Sequence, residues 1–244
     1  MRKRIADRLI PEKYLIMLLF VALLFVCLVF PVLRDQSRDR PVLLNLSLTA
    51  VLILGSAGGF RRRVWMLFGL PAIFIAVGFT WTGLFVDYSW LFVTNCLLQA
   101  ACFLVMACLL LYRVFTEYLA NWISMLGAIC GYLLIGLCWA MLYAALLHIN
   151  PEAFHFDNPL TAPLGITNKM HTSFSQVIYF SFVTMSTLGY GDIVPRTPLA
   201  LTLTWTQSVI GQFYLAVLVA RLVGVLPSSA LRNAADQSIA DERE

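Results

Sequence analysis

The residues best suited to chemistry lie in one polar stretch of an otherwise strongly apolar chain, residues 184–192, which read TMSTLGYGD. An ordinary strand alternates the direction of its carbonyls. Residues that tolerate positive φ can instead let successive carbonyls point to one side, and Gly189 and Gly191 tolerate it at little steric cost. Such a row of neutral carbonyl dipoles could replace the water around a dehydrated monovalent cation.

This stretch resembles the selectivity filter of potassium channels, whose family pattern is T-x-G-Y-G-D. The match is closest over Phe182–Asp192 and extends in architecture over roughly residues 121–226. In that family the filter carbonyls substitute for the hydration shell of K⁺. The resemblance implies that K⁺ is bound by backbone carbonyls and by the threonine hydroxyl of the following residues: Thr187, Leu188, Gly189 and Tyr190. The alternative is a glycine-rich turn between two membrane helices.

The resemblance also assigns a supporting or outer-mouth role to four neighbours: Phe180, Val183, Gly191 and Asp192. A carboxylate at the mouth raises the local cation concentration. Many relatives carry a Trp pair behind the filter, but this chain has Tyr179 and Phe180, and Phe180 has no N–H for the Tyr190 hydroxyl. Val183 replaces a Glu that pairs with the filter carboxylate in some bacterial relatives, so Asp192 must find another partner or stay hydrated. We therefore expect a filter prone to inactivation.

The composition is that of an integral membrane protein. The 244 residues are 60% hydrophobic and 12% charged, with a mean hydropathy of +0.82, whereas soluble domains average about 45–50% apolar and about 25% charged residues. The six cysteines fall inside apolar runs and are interpreted as small hydrophobic residues. No nucleophile–base pair, phosphate-binding loop or metal-ligand spacing occurs, so we expect no enzyme activity and no cofactor besides K⁺ as the permeant ion. The net charge of +4 requires no nucleic-acid partner.

Six apolar runs approach or exceed the roughly 20 residues needed to cross a bilayer: Tyr14–Leu33, Pro41–Phe60, Val64–Phe85, Tyr88–Tyr112, Asn121–His148 and Pro198–Leu226. Residues 149–172 are rich in Pro, Asn and Gly and predict an exposed loop. Thr172 and Ser173 then offer an N-cap for a short helix that ends near Met185. These patterns predict an all-α membrane protein of six transmembrane helices, with a re-entrant pore helix and filter between helices 5 and 6.

The expected domains are a cytoplasmic N-terminus (1–13), an uncharged four-helix peripheral domain (14–115), a pore domain (116–226) and a short cytoplasmic tail (227–244). Six spans place both termini on one side, which then holds twelve of the seventeen Lys and Arg residues. This excess predicts cytoplasmic termini and a multi-pass protein of the cell membrane. The tail is too small for a ligand-sensing domain.

The fourth run lacks the charges of a voltage sensor. Six spans and the sequence before the filter are most similar to the voltage-gated branch of the family. However, no Lys or Arg lies between Tyr88 and Tyr112, and Arg113 stands at the end of the run. Because one charge yields only about 2.3 kcal/mol per 100 mV, we expect weak or absent voltage dependence.

The last helix carries small residues at positions that could matter for gating. Gly211 is either a hinge, as in many channels of this family, or the site of a close helix crossing. Ala216 and Ala220 are candidates for an inner gate. One filter motif per chain cannot encircle an ion, so the resemblance implies a homotetramer in membrane lipid. A less selective cation channel and a non-conducting regulatory membrane subunit are the alternatives.

Overall fold

The structure is a computed structural model of one chain, and it describes residues 12–29, 40–57, 63–82, 89–116, 122–157 and 169–241. Seven α-helices account for most of this described part: α1 (Glu12–Leu24), α2 (Arg40–Ala57), α3 (Arg63–Thr82), α4 (Ser89–Thr116), α5 (Trp122–Ile149), α6 (Lys169–Met185) and α7 (Pro198–Asp241). A π-helical turn, Phe25–Val29, continues α1. A 3₁₀ turn, Pro151–Ala153, follows α5 and leads into the first of two short strands, β1 (Phe154–Phe156) and β2 (Ile193–Pro195).

Three helices in the described part are long and apolar enough to cross a membrane, over the segments Trp90–Thr116, Trp122–Ile149 and Pro198–Arg221. The apolar segments described in α1, α2 and α3 are shorter. Three of the six predicted spans therefore have helices of the required length and composition, and the other three stay predictions.

Helices α4 and α5 form a long hairpin. α4 ends at Thr116 and α5 begins at Trp122, and the two helices contact each other along most of their length. On α4, buried residues recur every three or four positions and form one apolar stripe: Cys96, Ala100, Phe103, Ala107, Leu110 and Val114. α1 also packs on α5, so the first helix lies directly against the helix that precedes α6.

A cluster of uncharged polar side chains joins α2, α3 and α4, and we call its four residues the α2–α4 polar cluster: Asn45, Thr80, Asn95 and Gln99. The Gln99 amide donates to Thr80 Oγ1 at 2.7 Å, and the Asn45 amide donates to the Thr80 carbonyl at 3.0 Å. The Thr80 hydroxyl in turn lies 3.2 Å from Asn95 Oδ1. The amides of Asn45 and Gln99 thus form hydrogen bonds between helices, as polar side chains within membrane helices commonly do.

Helix α6 begins three residues before the predicted cap. It starts at Lys169, so Thr172 and Ser173 lie within the helix and the prediction that they cap it is wrong. Its 17 residues make it about 25 Å long, which is less than the hydrocarbon thickness of about 30 Å. It packs against α5 and α7.

A small β-ribbon replaces part of the predicted loop after α5. β1 pairs with β2 in antiparallel register, with Phe154 opposite Pro195 and Phe156 opposite Ile193. Ala153 and Phe154 are buried, so the prediction of an exposed loop is wrong for this segment. The chain is consequently mostly helical rather than all-α. Residues 158–168 of the predicted loop lie outside the described residues.

Helix α7 does not end where its apolar residues end. It continues from Pro198 through Pro227 to Asp241 as one helix of 44 residues. The predicted boundary between pore domain and tail at residues 226–227 is therefore not a helix end, although the sequence there contains proline and two serines. On the first span, α1 and its π-helical turn account for residues up to Val29, and residues 30–33 lie outside the described part.

Candidate selectivity filter

The candidate filter, residues 187–192, follows α6, and backbone hydrogen bonds cap the C-terminal end of that helix. The N–H of Ser186 donates to the Phe182 carbonyl at 3.0 Å, and the N–H of Leu188 donates to the Val183 carbonyl at 2.9 Å. The N–H of Thr187 donates to the carbonyl of Thr184 at 3.0 Å. These bonds satisfy carbonyls that the end of a helix otherwise leaves without a partner. The first residues of the candidate filter are thereby fixed to α6.

Every second residue of the candidate filter has left-handed backbone geometry. The φ angles are +58° at Thr187, +56° at Gly189 and +82° at Gly191. The sequence predicts positive φ at the two glycines. It does not predict it at Thr187, where a β-branched side chain makes this conformation uncommon and costs of order 1–3 kcal/mol. Thr187 lies two residues before Gly189, as Gly189 lies two residues before Gly191, and this spacing is the signal that could have predicted its positive φ.

The far end of the candidate filter is held by the β-ribbon. The N–H of Asp157, next to β1, donates to the Asp192 carbonyl at 2.9 Å. The N–H of Arg196 donates to the Ala153 carbonyl at 2.8 Å on the other side of the ribbon. His155 Nε2 lies 2.7 Å from Asp157 Oδ1 on the surface of the ribbon. Sequence reasoning missed this support because it treated the segment after α5 as a loop.

Two neighbouring aromatic residues of α6 support the site in different ways. Phe180 packs between Tyr143 and Phe154, with ring centroids 5.1 Å apart in each pair. Since Phe154 belongs to β1, Phe180 holds the ribbon against α5 and α6. The hydroxyl of Tyr179 interacts with the side chain of Asp192. Tyr179 is thus the partner of Asp192 that the sequence analysis did not identify.

Val183 lies on the side of α6 that faces the first helix. It lines an apolar cavity of about 380 Å³ together with Leu28 of the π-helical turn and Phe182. Its side chain is therefore placed behind the chain that forms the candidate filter, and its carbonyl accepts the Leu188 N–H. Tyr190 and Leu188 are exposed in the single chain.

A buried polar network links α5, α6 and α7, and we call it the α5–α7 polar network (Gly136, Tyr143, Ser181 and Gln207). The Tyr143 hydroxyl donates to Gln207 Oε1 at 2.6 Å. The Gln207 amide donates to Ser181 Oγ at 2.8 Å and to the Ser181 carbonyl at 3.0 Å. The Ser181 hydroxyl donates to the Gly136 carbonyl at 2.7 Å. The network contains no ionised side chain, and its side-chain hydrogen-bonding groups find partners inside the chain.

Gly211 permits a close crossing of α7 and α6. A Cβ at this position would lie 2.5 Å from the Met185 carbonyl oxygen and 2.9 Å from Met185 Cγ. The first contact is with backbone, which has little freedom to move away. The geometry supports the close-crossing interpretation, while a hinge at Gly211 stays a prediction because α7 is one continuous helix there. Ala216 and Ala220, the candidate inner gate, are exposed on α7.

The oxygens offered by the candidate filter are chiefly neutral carbonyls and a hydroxyl. Within the described ranges, no group of three or more His, Cys, Asp or Glu residues could hold a metal ion. All six cysteines are unpaired thiols. Neutral oxygens suit a monovalent cation that must both bind and leave, whereas divalent calcium is usually held by carboxylates.

Comparison with known proteins bears on this part of the chain. Residues 129–227 match a family model described as "Ion channel". These residues are similar to an ion-channel domain. The match covers most of α5, all of α6, the candidate filter and α7 as far as Pro227. No curated protein and no solved structure matches the chain significantly.

The match to an ion-channel domain and the long apolar helices indicate a membrane protein, and the match supports passive ion conduction. The match covers 99 of the 244 residues, and α1–α4 lie outside it. The match assigns no roles to individual residues of the candidate filter.

Proposed function

We propose that the chain is a potassium-selective channel that conducts K⁺ passively through a central pore formed by four copies. One observation carries this proposal: the alternating left-handed residues of the candidate filter, Thr187, Gly189 and Gly191, lie within an ion-channel domain. In an extended chain, successive carbonyls point in opposite directions, and reversing every second residue brings them to one side. The K⁺ ligands are the carbonyls of residues 187–190 and the Thr187 hydroxyl, in the manner known for potassium channels.

Four copies are proposed because one candidate filter offers oxygens from one direction only. The exposure of α7 supports this assembly. Only 17% of the membrane-length apolar segment of α7 is buried within the chain, against 61% of the corresponding segment of α5. Trp205 and Phe213 are among the large side chains that α7 exposes. A cyclic tetramer covers part of this surface and leaves the remainder to lipid.

The electrostatics near the candidate filter favour a cation. α6 ends at Met185, directly before the filter, and a helix C-terminus carries about half a negative elementary charge. Asp192 adds a carboxylate at the opposite end of the filter. In the proposed orientation, with both termini in the cytoplasm, Asp192 faces the outside of the cell.

The first four helices are proposed to form a peripheral domain with little voltage sensitivity. The polar groups that join α2, α3 and α4 are amides and hydroxyls, and the described part of α4 carries Arg113 only near its end. We further propose the cell membrane as the location of the protein.

The test is K⁺ efflux from liposomes that contain the purified chain alone. We expect efflux that is lost in Gly189→Asp, and a reversal potential in mixed K⁺ and Na⁺ that follows the K⁺ gradient. A reversal potential that follows neither gradient identifies the less selective cation channel. Absence of efflux from well-reconstituted protein identifies the regulatory subunit.

The oligomeric state is tested separately by chemical cross-linking and light scattering in detergent. A mass of four chains is expected. A monomer or dimer in lipid would contradict the proposed pore.

A further inference from the structure

Gln212 places a side-chain amide of α7 beside the candidate filter. Its Nε2 lies 3.4 Å from Thr187 Oγ1, and the residue is exposed in the single chain. It is polar in a helix whose exposed neighbours include the apolar residues Val209 and Phe213. The ion-channel domain match assigns no role to this side chain.

The hydrogen bonds of the Thr187 hydroxyl determine how the amide is oriented. A hydroxyl has one proton and two acceptor lone pairs. The Thr187 hydroxyl donates its proton to the Ser186 carbonyl at 2.7 Å, so towards Gln212 its oxygen can only accept. Gln212 must therefore present its NH₂ group, and one lone pair of Thr187 Oγ1 remains for a further partner.

The neighbouring turn of α7 holds Gln212 in this place. The Ser208 hydroxyl donates to the Thr184 carbonyl at 3.1 Å, and Gly211 lies against the Met185 backbone. One face of α7 therefore contacts the segment from Thr184, in the last turn of α6, to Thr187, the first residue of the candidate filter. The contacting residues are Ser208, Gly211 and Gln212. The distance between Gln212 and Thr187 is consequently set by helix packing as well as by their own hydrogen bond.

We infer that Gln212 is a positioning residue for the cation site at the α6 end of the filter. Its amide and the Ser186 carbonyl together fix the Thr187 hydroxyl, so that the remaining lone pair is available to a dehydrated monovalent cation. This inference rests on the proposed function, because Thr187 is a cation ligand only if the candidate filter lines a pore. The amide oxygen of Gln212 does not contact Thr187, and it makes the surface next to this cation site polar.

The probe is Ba²⁺ applied from the cytoplasmic side to the reconstituted tetramer. Ba²⁺ is close to K⁺ in size but carries twice the charge, so it enters the same oxygen cage and blocks K⁺ current. Gln212→Met keeps the length of the side chain and removes the donor. Gln212→Asn keeps the amide but is one methylene shorter, and so does not reach Thr187. We expect the half-blocking Ba²⁺ concentration to rise about tenfold in both variants, since four hydrogen bonds are lost per pore.

Two comparisons distinguish positioning from a general effect on structure. In a Thr187→Val background, which removes the hydroxyl, Gln212→Met should produce no additional change, as a double-mutant cycle requires for direct partners. Gln99→Leu removes a glutamine from α4, which lies outside the ion-channel match, and should leave Ba²⁺ block unchanged.

The inference is overturned if the wild-type protein conducts K⁺ and Gln212→Met and Gln212→Asn both retain wild-type block. It is also overturned if the effects of Gln212→Met and Thr187→Val simply add. A wild-type chain that does not conduct contradicts the proposed function instead, so the two failures are distinguishable.

Discussion

The two groups of polar side chains inside this apolar protein are connected in different ways. In the α2–α4 polar cluster, the side chains mainly bond one another, and Gln99 Oε1 is buried without a hydrogen-bond partner among the described residues. In the α5–α7 polar network, the bonds converge on Ser181 of α6, the helix that ends at the candidate filter. The first group joins helices to each other, whereas the second fixes the position of one helix. We therefore expect substitutions to be tolerated in the first region and not in the second.

The largest difference is expected between two Gly→Ala substitutions. Gly189 and Gly78 both have open space where a Cβ would lie, but only Gly189 has positive φ. Because a left-handed conformation costs a non-glycine residue roughly 1–2 kcal/mol, and the proposed pore contains four copies of this residue, Gly189→Ala should lower K⁺ efflux about 100-fold or more. Gly78→Ala in α3 should leave efflux unchanged. Equal efflux from the two variants would show that the backbone of the filter is not required in this form.

The next largest difference is expected between Gly211→Ala and Gly127→Ala, because only the first creates a close contact with a neighbouring helix. Gly211→Ala forces a Cβ against the Met185 carbonyl, whereas a Cβ at Gly127 would lie 3.8 Å from Val114 Cγ2, an ordinary contact. We expect Gly211→Ala to lower the free energy of unfolding by about 1–3 kcal/mol and Gly127→Ala to change it little. Denaturant unfolding followed by tryptophan fluorescence measures both. A Gly211→Ala variant as stable as wild type would remove the argument for a close crossing.

A matched pair of Gln→Leu substitutions compares the two polar groups directly. Gln207→Leu leaves the Tyr143 hydroxyl and Ser181 buried without their partner, which costs about 1–3 kcal/mol. Gln99→Leu also removes an oxygen, Oε1, that has no hydrogen-bond partner in the described part of the chain, so its cost should stay below about 1 kcal/mol. The same unfolding assay tests the pair. If Gln99→Leu is the more damaging change, the distinction between the two groups is wrong.

Tyr179→Phe removes the hydroxyl that interacts with Asp192 and leaves the aromatic ring in place. We expect the K⁺ current to decay a few times faster during sustained conduction, with little change in single-channel conductance, since the loss of one neutral-to-charged interaction is modest. Planar bilayer recording measures both quantities. An unchanged decay would show that Asp192 does not depend on Tyr179.

The smallest effect is expected from membrane voltage. Because Arg113 lies near the end of α4 and no other Lys or Arg lies between Ser89 and Thr116, little charge can move across the field. The conductance should change less than about twofold over 100 mV in symmetric K⁺. A steep conductance–voltage curve would mean that charges outside α4 respond to voltage.

The parts of the structure that the sequence predicts are those that depend on local chemistry. The apolar runs of α4 and α5 predict two long helices, and Gly189 and Gly191 indicate where the backbone takes positive φ. The amides of the α2–α4 polar cluster were also interpretable, because a polar group within an apolar helix needs a partner nearby.

The parts that were missed depend on residues far apart in the chain. β1 has three residues, and it forms only because β2, almost 40 residues later, supplies its hydrogen bonds. Phe180 was expected in the layer behind the filter, and its contact with Phe154 of that same ribbon was not predicted. Neither contact leaves a periodic pattern in the sequence. The role of Tyr179 likewise depends on the β-ribbon, which holds Asp192 by its carbonyl while Tyr179 interacts with its carboxylate.

The uninterrupted course of α7 through Pro227 has a mechanical consequence. Proline has no N–H, so the carbonyl of Val223 lacks its normal donor and α7 has one backbone hydrogen bond fewer at that level. Pro227 lies sixteen residues after Gly211, about 24 Å further along the helix axis. A sideways force on the turns beyond Pro227 should therefore bend α7 at Pro227 first, so that disturbances at the carboxyl end of the helix have little effect on the candidate filter.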